Sequence, residues 1–201
     1  MCIRDRGIEL KHDIRALAGT NEESGMEDAV YYRENCETPD FTIVVDSPFP
    51  LCYGEKGIVE AWMVSDKKFS DKVIRLSGGE VSNQVPGEAE LVLSRNPQLE
   101  ALLEVKDEEC EWKTDEDHII IRAKGTAGHV AFPDKTKNAI TILAGFALRR
   151  GLLREEQDQN IMKYILEASA GTDGSGLGIA CSDDISGALV CGCGIVQTEN
   201  G

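Results

Sequence analysis

Two groups of carboxylates near the start of the chain have the residue types and spacing for metal-assisted hydrolysis. Glu22 and Glu23 are adjacent and follow a short apolar run, DIRALA, at residues 13–18. Asp46 directly follows a second apolar run, FTIVV, at residues 41–45. A hydrolytic site with two metal ions needs carboxylate or histidine ligands, and a separate base that takes a proton from water. Neighbouring side chains at a strand end point in different directions, so Glu22 and Glu23 could divide these two tasks.

The elements that must position these acids read as strand, helix, strand, which predicts a β-α-β unit with parallel strands. The run 41–45 is continuous and β-branched, which is typical of a strand buried on both faces. Ser24 and Glu27 have the spacing of a capping box, which predicts a helix ending near Asn35. In open α/β sheets, ligands bind beyond the carboxyl ends of the strands, where both acidic groups would lie. The alternative is that these acids only cap loops.

A domain boundary is predicted at residues 56–57, because proline and glycine punctuate the segments SPFP and GEKG at residues 47–57. Beyond it the pattern predicts an antiparallel sheet with one solvated face and helices on the other, an α+β sandwich. The predicted strands are 58–64, 71–76, 89–93, a hairpin of 111–113 with 118–123, and a last hairpin of 177–181 with 187–196. The predicted helices are 97–105, 136–149 and 154–168, and the glycine-rich residues 171–178 are predicted to form a turn.

His129 stands in a glycine-rich loop, residues 125–133, that ends in proline. The small residues Gly125, Ala127 and Gly128 would let a backbone or a substrate approach closely. His12 and His118 flank strands and are predicted to be ordinary surface or edge residues. His129 is therefore the histidine to which a chemical role is most readily assigned, and a purely structural role is the alternative.

Composition limits the classes of partner and the compartment. The formal net charge of −15 argues against nucleic acid and against anionic membrane surfaces, since both attract positive charge. The sequence has no apolar run long enough to predict a membrane span. Seven cysteines without a CxxC pair predict a reducing, cytoplasmic setting, with Cys191 and Cys193 as small core side chains rather than soft-metal ligands. Residues 1–6 are expected to be a sequence-boundary artefact.

Several motifs in order resemble the bacterial dipeptidase branch of the dinuclear metallopeptidases. That superfamily also includes carnosinases, glutamate carboxypeptidases and acetylornithine deacetylases. The motifs are NEESG at 21–25, VDSPFP at 45–50, GEKG at 54–57, SNQVP at 82–86, and GTAGH at 125–129 followed by Pro133, Asn138 and Ala139. The resemblance implies that residues 1–56 are part of a catalytic α/β domain. Residues 57–201 would be an α+β lid domain, incomplete at its C-terminal end.

The resemblance also implies roles, residue by residue. Glu22 matches the general base, and Glu23 and Asp46 match carboxylate ligands of the two metal ions. His129 matches the lid histidine that polarises the scissile carbonyl, and Asn83 matches a polar lid residue near the same oxygen. The implied cofactors are two divalent metal ions, zinc foremost, with manganese or cobalt as alternatives. The implied substrate is a dipeptide or short peptide.

The chain also departs from the family pattern. The family has a His-x-Asp motif upstream, and a histidine ligand and a carboxylate-binding arginine downstream, none of which this sequence contains. We therefore expect an internal fragment that binds metal weakly and is inactive by itself. Two further functions stay open: an N-acyl amino-acid deacylase of the same superfamily, and a non-catalytic binding or interaction module.

Overall fold

The computed structural model describes residues 11–22, 25–46 and 50–198. The chain divides into two compact units, Met1–Tyr53 and Gly54–Gly201. The predicted combination of a catalytic domain with a lid stays a prediction.

The first unit contains one described helix, α1, at Glu27–Asn35. Residues 13–18 and 41–45, predicted as parallel strands, are not strands in the structure. The side chains of the second run are largely exposed: Val45 is 91% exposed and Phe41 80%. A parallel strand buried on both faces needs paired neighbours and covering helices, and these segments have neither among the described residues. The strand predictions for both runs are therefore wrong for this structure.

The second unit is a mixed α/β structure built on a five-stranded antiparallel sheet with the strand order β4-β5-β3-β1-β9. Two pairs of very short strands, β2 with β6 and β7 with β8, lie outside this sheet. The strands are β1 Val73–Gly78, β2 Gln84–Val85, β3 Glu88–Ser94, β4 Cys110–Thr114, β5 His118–Lys124, β6 Gly128–His129, β7 Ser182–Asp183, β8 Gly187–Ala188 and β9 Val196–Gln197. The helices are α2 Pro97–Leu102, α3 Ala139–Arg149 and α4 Glu156–Ser169, with short 3-10 turns at Pro133–Lys135 and Ser175–Leu177.

The core lies between one face of the sheet and α3. Alternating residues of β3 and β5, among them Leu91 and Ile121, are fully buried and meet the apolar side of α3. Phe146 of α3 stacks on Trp112 of β4 with ring centroids 6.0 Å apart. The helix α4 packs against α3 and contributes the buried Met162. On the other face of the sheet, Glu90 forms ion pairs with two arginines, Arg75 and Arg122.

Most elements predicted beyond residue 70 are confirmed, including the hairpin of β4 with β5 and the buried positions of α3. Two predictions for the second unit are wrong. Residues 58–64 form no strand, and Ile58 is 95% exposed. The predicted last hairpin is replaced by the short pair β7 and β8 and by β9, which pairs with β1 as the edge strand of the sheet. Alternating or continuous apolar residues favour a strand, but the strand forms only where the edge of another strand is available to pair with it.

Candidate functional site

In the first unit, the loop that carries Glu22 is held by the side chain of Asp28. The backbone N–H groups of Thr20 and Asn21 donate to Asp28 Oδ2 at 2.7 and 3.1 Å. These hydrogen bonds, led by the one from Thr20, lower the pKa of the Asp28 carboxyl below its ordinary value. Glu22 is exposed at the end of this loop. Asp28 therefore fixes the backbone immediately before the candidate base.

The start of α1 differs from the predicted capping box. The N–H of Glu27 donates to Asn21 Oδ1 at 2.8 Å, so this amide is capped from the preceding loop. Ser24, the predicted acceptor of that bond, lies outside the described residues. Met26 precedes the helix in a left-handed conformation, with φ of 59°. The helix start and the Glu22 loop are thus tied together by Asn21 as well as by Asp28.

The predicted metal ligands are not assembled into a site in the part of the chain that the structure describes. Asp46 is exposed, and Glu23 lies outside the described residues. Among the described residues, no three side chains of the metal-binding types stand close enough together to hold an ion. Carboxylate oxygens are suitable ligands for divalent cations, but the described residues bring too few of them together to complete a site. The described acids therefore make up at most part of a ligand set.

In the second unit, the structure brings together the segments that carry Asn83 and His129, although they are far apart in the sequence. The strands β2 and β6 pair antiparallel, which places Gln84 opposite His129 and Val85 opposite Gly128. The carbonyl oxygen of Asn83 also accepts a hydrogen bond from the N–H of Val130 at 2.9 Å. Both Asn83 and His129 are exposed. Two polar side chains predicted to act on one substrate oxygen therefore lie on neighbouring segments at the surface.

The imidazole of His129 is oriented by its own turn. The N–H of Ala131 donates to His129 Nδ1 at 3.1 Å, and the N–H of Phe132 donates to the His129 carbonyl at 3.0 Å. A ring nitrogen that accepts a hydrogen bond carries no proton, so in the neutral imidazole the proton is on Nε2. His129 is thereby arranged as a hydrogen-bond donor through Nε2, which is what polarising a carbonyl requires.

Glycine allows the close approach that shapes this loop. A β-carbon on Gly125 would lie 2.1 Å from the carbonyl oxygen of Lys137, so a larger residue would separate two segments that are bonded here. Thr126 and Lys137 exchange both backbone hydrogen bonds, at 2.9 and 3.0 Å. The N–H of Ala139, the first residue of α3, donates to the carbonyl of Pro86 at 2.9 Å. The helix thus connects the two loops that carry Asn83 and His129.

Asn138 holds the start of α3 against the segment that contains Cys193, a role that its place in the sequence motif does not reveal. Its Oδ1 accepts from the N–H of Ile140 at 2.9 Å and caps α3, while its Nδ2 donates to the carbonyl of Cys193 at 2.9 Å. The first contact has a sequence signal, an Asn directly before a periodic apolar run. The second contact, like the Ala131 amide on His129, has no sequence signal because it depends on tertiary placement.

A cavity of about 270 Å³ lies against these loops and is lined by Val130, Asn138, Thr141 and Ser169 among others. Two of its hydroxyl groups are already paired, since Thr141 Oγ1 donates to the Ser169 carbonyl at 2.8 Å and stands 2.9 Å from Ser169 Oγ. These two groups are therefore already used within the protein, and around them the cavity offers mainly open volume.

The cysteines of the second unit give no sign of metal binding among the described residues. Residues 191–195 are not a strand, although the sequence predicts one over 187–196, so Cys191 and Cys193 do not share the face of a strand. Cys193 packs against the core, and burial raises the pKa of its thiol. Both cysteines are predicted to be small core side chains; both are half-buried, and of the two only Cys193 is among the residues packed against the core.

No protein-family model matches the chain. The chain is similar to the protein named "Putative dipeptidase YtjP" of Bacillus subtilis (strain 168), with 25% identity over 211 residues, 99% of this chain and 45% of that protein. It is 27% identical over 200 residues to the Beta-Ala-Xaa dipeptidase of Lactobacillus delbrueckii subsp. lactis, covering 94% of this chain and 42% of that protein. The chain spans less than half the length of the curated relatives it matches. The described residues include no helix with the length and apolar character of a membrane span. Homologues along nearly the whole chain carry the name dipeptidase, and they support a dipeptidase family for it.

Proposed function

We propose that the whole protein is a metal-dependent dipeptidase, and that this chain supplies its general base, two of its metal ligands and its carbonyl-binding loop. Because the chain spans less than half the length of its relatives, the activity is proposed for the whole protein and not for these 201 residues alone. The names of the relatives support peptide hydrolysis, and the motifs at Glu22, Asp46 and His129 support the metal-dependent form of it.

The observation that supports the proposal is the pairing of β2 with β6, which puts Asn83 and His129 on adjacent segments, together with the Ala131 amide that leaves His129 Nε2 as the donor. Hydrolysis of a peptide places negative charge on the carbonyl oxygen in the transition state. Donors held ready for that oxygen stabilise it without reorganising. His129 Nε2–H and the amide of Asn83 are proposed as those donors.

Glu22 is proposed to take the proton from the attacking water and pass it to the leaving amine. Glu23 and Asp46 are proposed as ligands for two divalent ions, zinc first, with manganese or cobalt as alternatives. Such ions, when bound, lower the pKa of water and polarise carbonyl oxygens. The exposed position of Glu22 on a loop fixed by Asp28 supports its role as a group that meets solvent and substrate.

The first test uses the whole protein and a dipeptide substrate. Replacing His129→Gln or Asn83→Ala is expected to lower kcat by about 10²-fold or more, the cost of losing one oxyanion donor. The matched control is His118→Gln. His118 belongs to the same unit, but its Nδ1 lies 3.3 Å from Asp115 Oδ1, and it is not part of the loop that carries His129. Equal activity of the His129 and His118 variants would contradict the proposed role.

The second test separates the base from the ligands. Glu22→Gln is expected to keep two metal ions per chain and lose turnover, whereas Glu23→Ala is expected to lose metal. Asp40→Asn, an exposed acid of the same unit, is the control and should change neither quantity. Elemental analysis and initial rates measure the two outcomes. Intact hydrolysis in both Glu variants would refute the assignment of roles.

The same tests distinguish the alternative deacylase, which would differ only in the group attached to the scissile carbonyl. Rates with dipeptides and with N-acetyl amino acids should be compared for the unmodified protein. We expect faster hydrolysis of dipeptides, in line with the names of the relatives. Faster hydrolysis of N-acetyl amino acids than of dipeptides would instead support the deacylase.

A further inference from the structure

Phe132 stands beside His129 as an exposed aromatic ring on a rigid turn. Its side chain is 78% exposed, and its ring centroid lies 5.9 Å from that of His129, with the two planes tilted by 46°. Exposure of a single apolar residue has little meaning by itself, because much of any protein surface is apolar. The position next to the candidate carbonyl donor, and the restraint of the backbone, give this ring its significance.

The backbone on both sides of Phe132 is fixed by hydrogen bonds. Its N–H donates to the His129 carbonyl at 3.0 Å, and Pro133 then starts a short 3-10 turn. The Pro133 carbonyl accepts from both the N–H and the hydroxyl of Thr136, at 2.9 and 2.8 Å. Upstream, Val130 is bonded to the Asn83 carbonyl. These bonds hold the backbone that carries the ring, in the same turn that orients His129.

The spacing of the two rings sets what Phe132 can contact. A peptide carbonyl that accepts a hydrogen bond from His129 Nε2 would lie about 2.9 Å from that nitrogen. The side chain of the residue that carries this carbonyl extends a few ångströms further, a length comparable with the 5.9 Å between the two ring centroids. Phe132 has no charge or hydrogen-bonding group, so the contact it offers is apolar.

We infer that Phe132 is a specificity-determining residue that favours peptides with an apolar side chain on the residue whose carbonyl is cleaved. The inference rests on the proposed function, since it takes His129 as the donor to the scissile carbonyl. In a dipeptide this residue is the first one. The turn 129–132 then recognises two features together, the carbonyl through His129 and the neighbouring side chain through Phe132.

The test compares Leu-Gly with Asn-Gly, because leucine and asparagine have similar size and differ in polarity. In the whole protein, Phe132→Ala is expected to reduce the ratio of kcat/KM for Leu-Gly over Asn-Gly by roughly tenfold. Phe132→Leu should retain most of the ratio, since it keeps an apolar contact. Tyr164→Ala, an aromatic residue of the same unit that is 52% exposed on α4, is the control and should leave the ratio unchanged.

The outcomes separate this inference from the proposed function. An equal fall for both substrates in Phe132→Ala, or no change in either, would overturn the role in specificity while leaving the dipeptidase proposal standing. If the unmodified protein hydrolyses neither peptide, the proposed function fails and calorimetric titration decides the inference. Tighter binding of Leu-Gly that is lost in Phe132→Ala would support it, and equal binding of both peptides would refute it.

Discussion

At the scale of single residues, the candidate site depends on which nitrogen of His129 carries the proton. The imidazole accepts from the Ala131 amide at Nδ1, which leaves Nε2 as the donor. His118 has the opposite environment, because its Nδ1 lies 3.3 Å from the Asp115 carboxylate. The two histidines of one unit should therefore hold opposite neutral tautomers.

Nitrogen-15 NMR of the imidazole rings measures this prediction directly. In its neutral form, His129 should show an unprotonated Nδ1 and a protonated Nε2, and neutral His118 should show the reverse. Protonated Nδ1 in His129 would mean that the Ala131 bond does not form, and that the ring is turned away from the orientation which this bond gives it.

At the scale of elements, the hydrogen bonds to Asp28 make the stability of the Glu22 loop and of the start of α1 depend on pH. The pKa of Asp28 is lowered in the folded protein, so its contribution is present above the ordinary aspartate pKa of about 3.9. That contribution is lost as the pH falls further, through the lowered pKa. Above that range, the amides of Thr20 and Asn21 should be protected from hydrogen exchange.

Replacing Asp28→Ala is expected to speed exchange of the Thr20 and Asn21 amides roughly tenfold at neutral pH, because both lose a charged acceptor. Asp40→Ala, an exposed acid of the same unit, is the control and should leave both rates unchanged. Exchange rates that are the same with and without the Asp28 carboxyl would show that α1 holds this loop by other contacts.

At the scale of the whole molecule, all the described residues of the hydrophobic core belong to the second unit. We therefore expect residues 54–201 to unfold cooperatively when produced separately. Phe146→Ala should lower the free energy of unfolding of this unit by about 3–5 kcal/mol, because it empties a large buried site. Val105→Ala, at a residue that is 65% exposed, should change it by less than about 0.5 kcal/mol.

Denaturant titration followed by circular dichroism measures both free energies. Thiol labelling gives an independent measurement. Cys110 is buried, and burial raises the pKa of its thiol to about 12, so it should react only after unfolding. The exposed Cys181 should react at once. A non-cooperative transition, or immediate labelling of Cys110, would show that this unit needs the rest of the protein to fold.

The sequence by itself determined most of the second unit and the identity of the candidate residues. The alternation in β3 and β5 and the helical spacing of α3 are local patterns, and the structure confirms them. The motifs around Glu22, Asp46, Asn83 and His129 also stand in the sequence, while their chemical roles stay predictions. Periodicity indicates which face of an element is apolar, and that face is buried wherever a partner is present.

Only the tertiary structure decided which apolar runs do not form the strands that their local pattern predicts. The runs 41–45 and 58–64 have the composition of strands, yet they are exposed, because a strand is stabilised by pairing with another segment and not by its own residues. The meeting of Asn83 with His129, the proton position on that imidazole and the ring of Phe132 beside it all depend on the pairing of two-residue strands and on backbone amides. Such contacts join segments that are distant in the chain, and several of them use backbone groups, which are the same in almost every residue. The type of residue at a position therefore does not predict these contacts, and only the fold determines where they form.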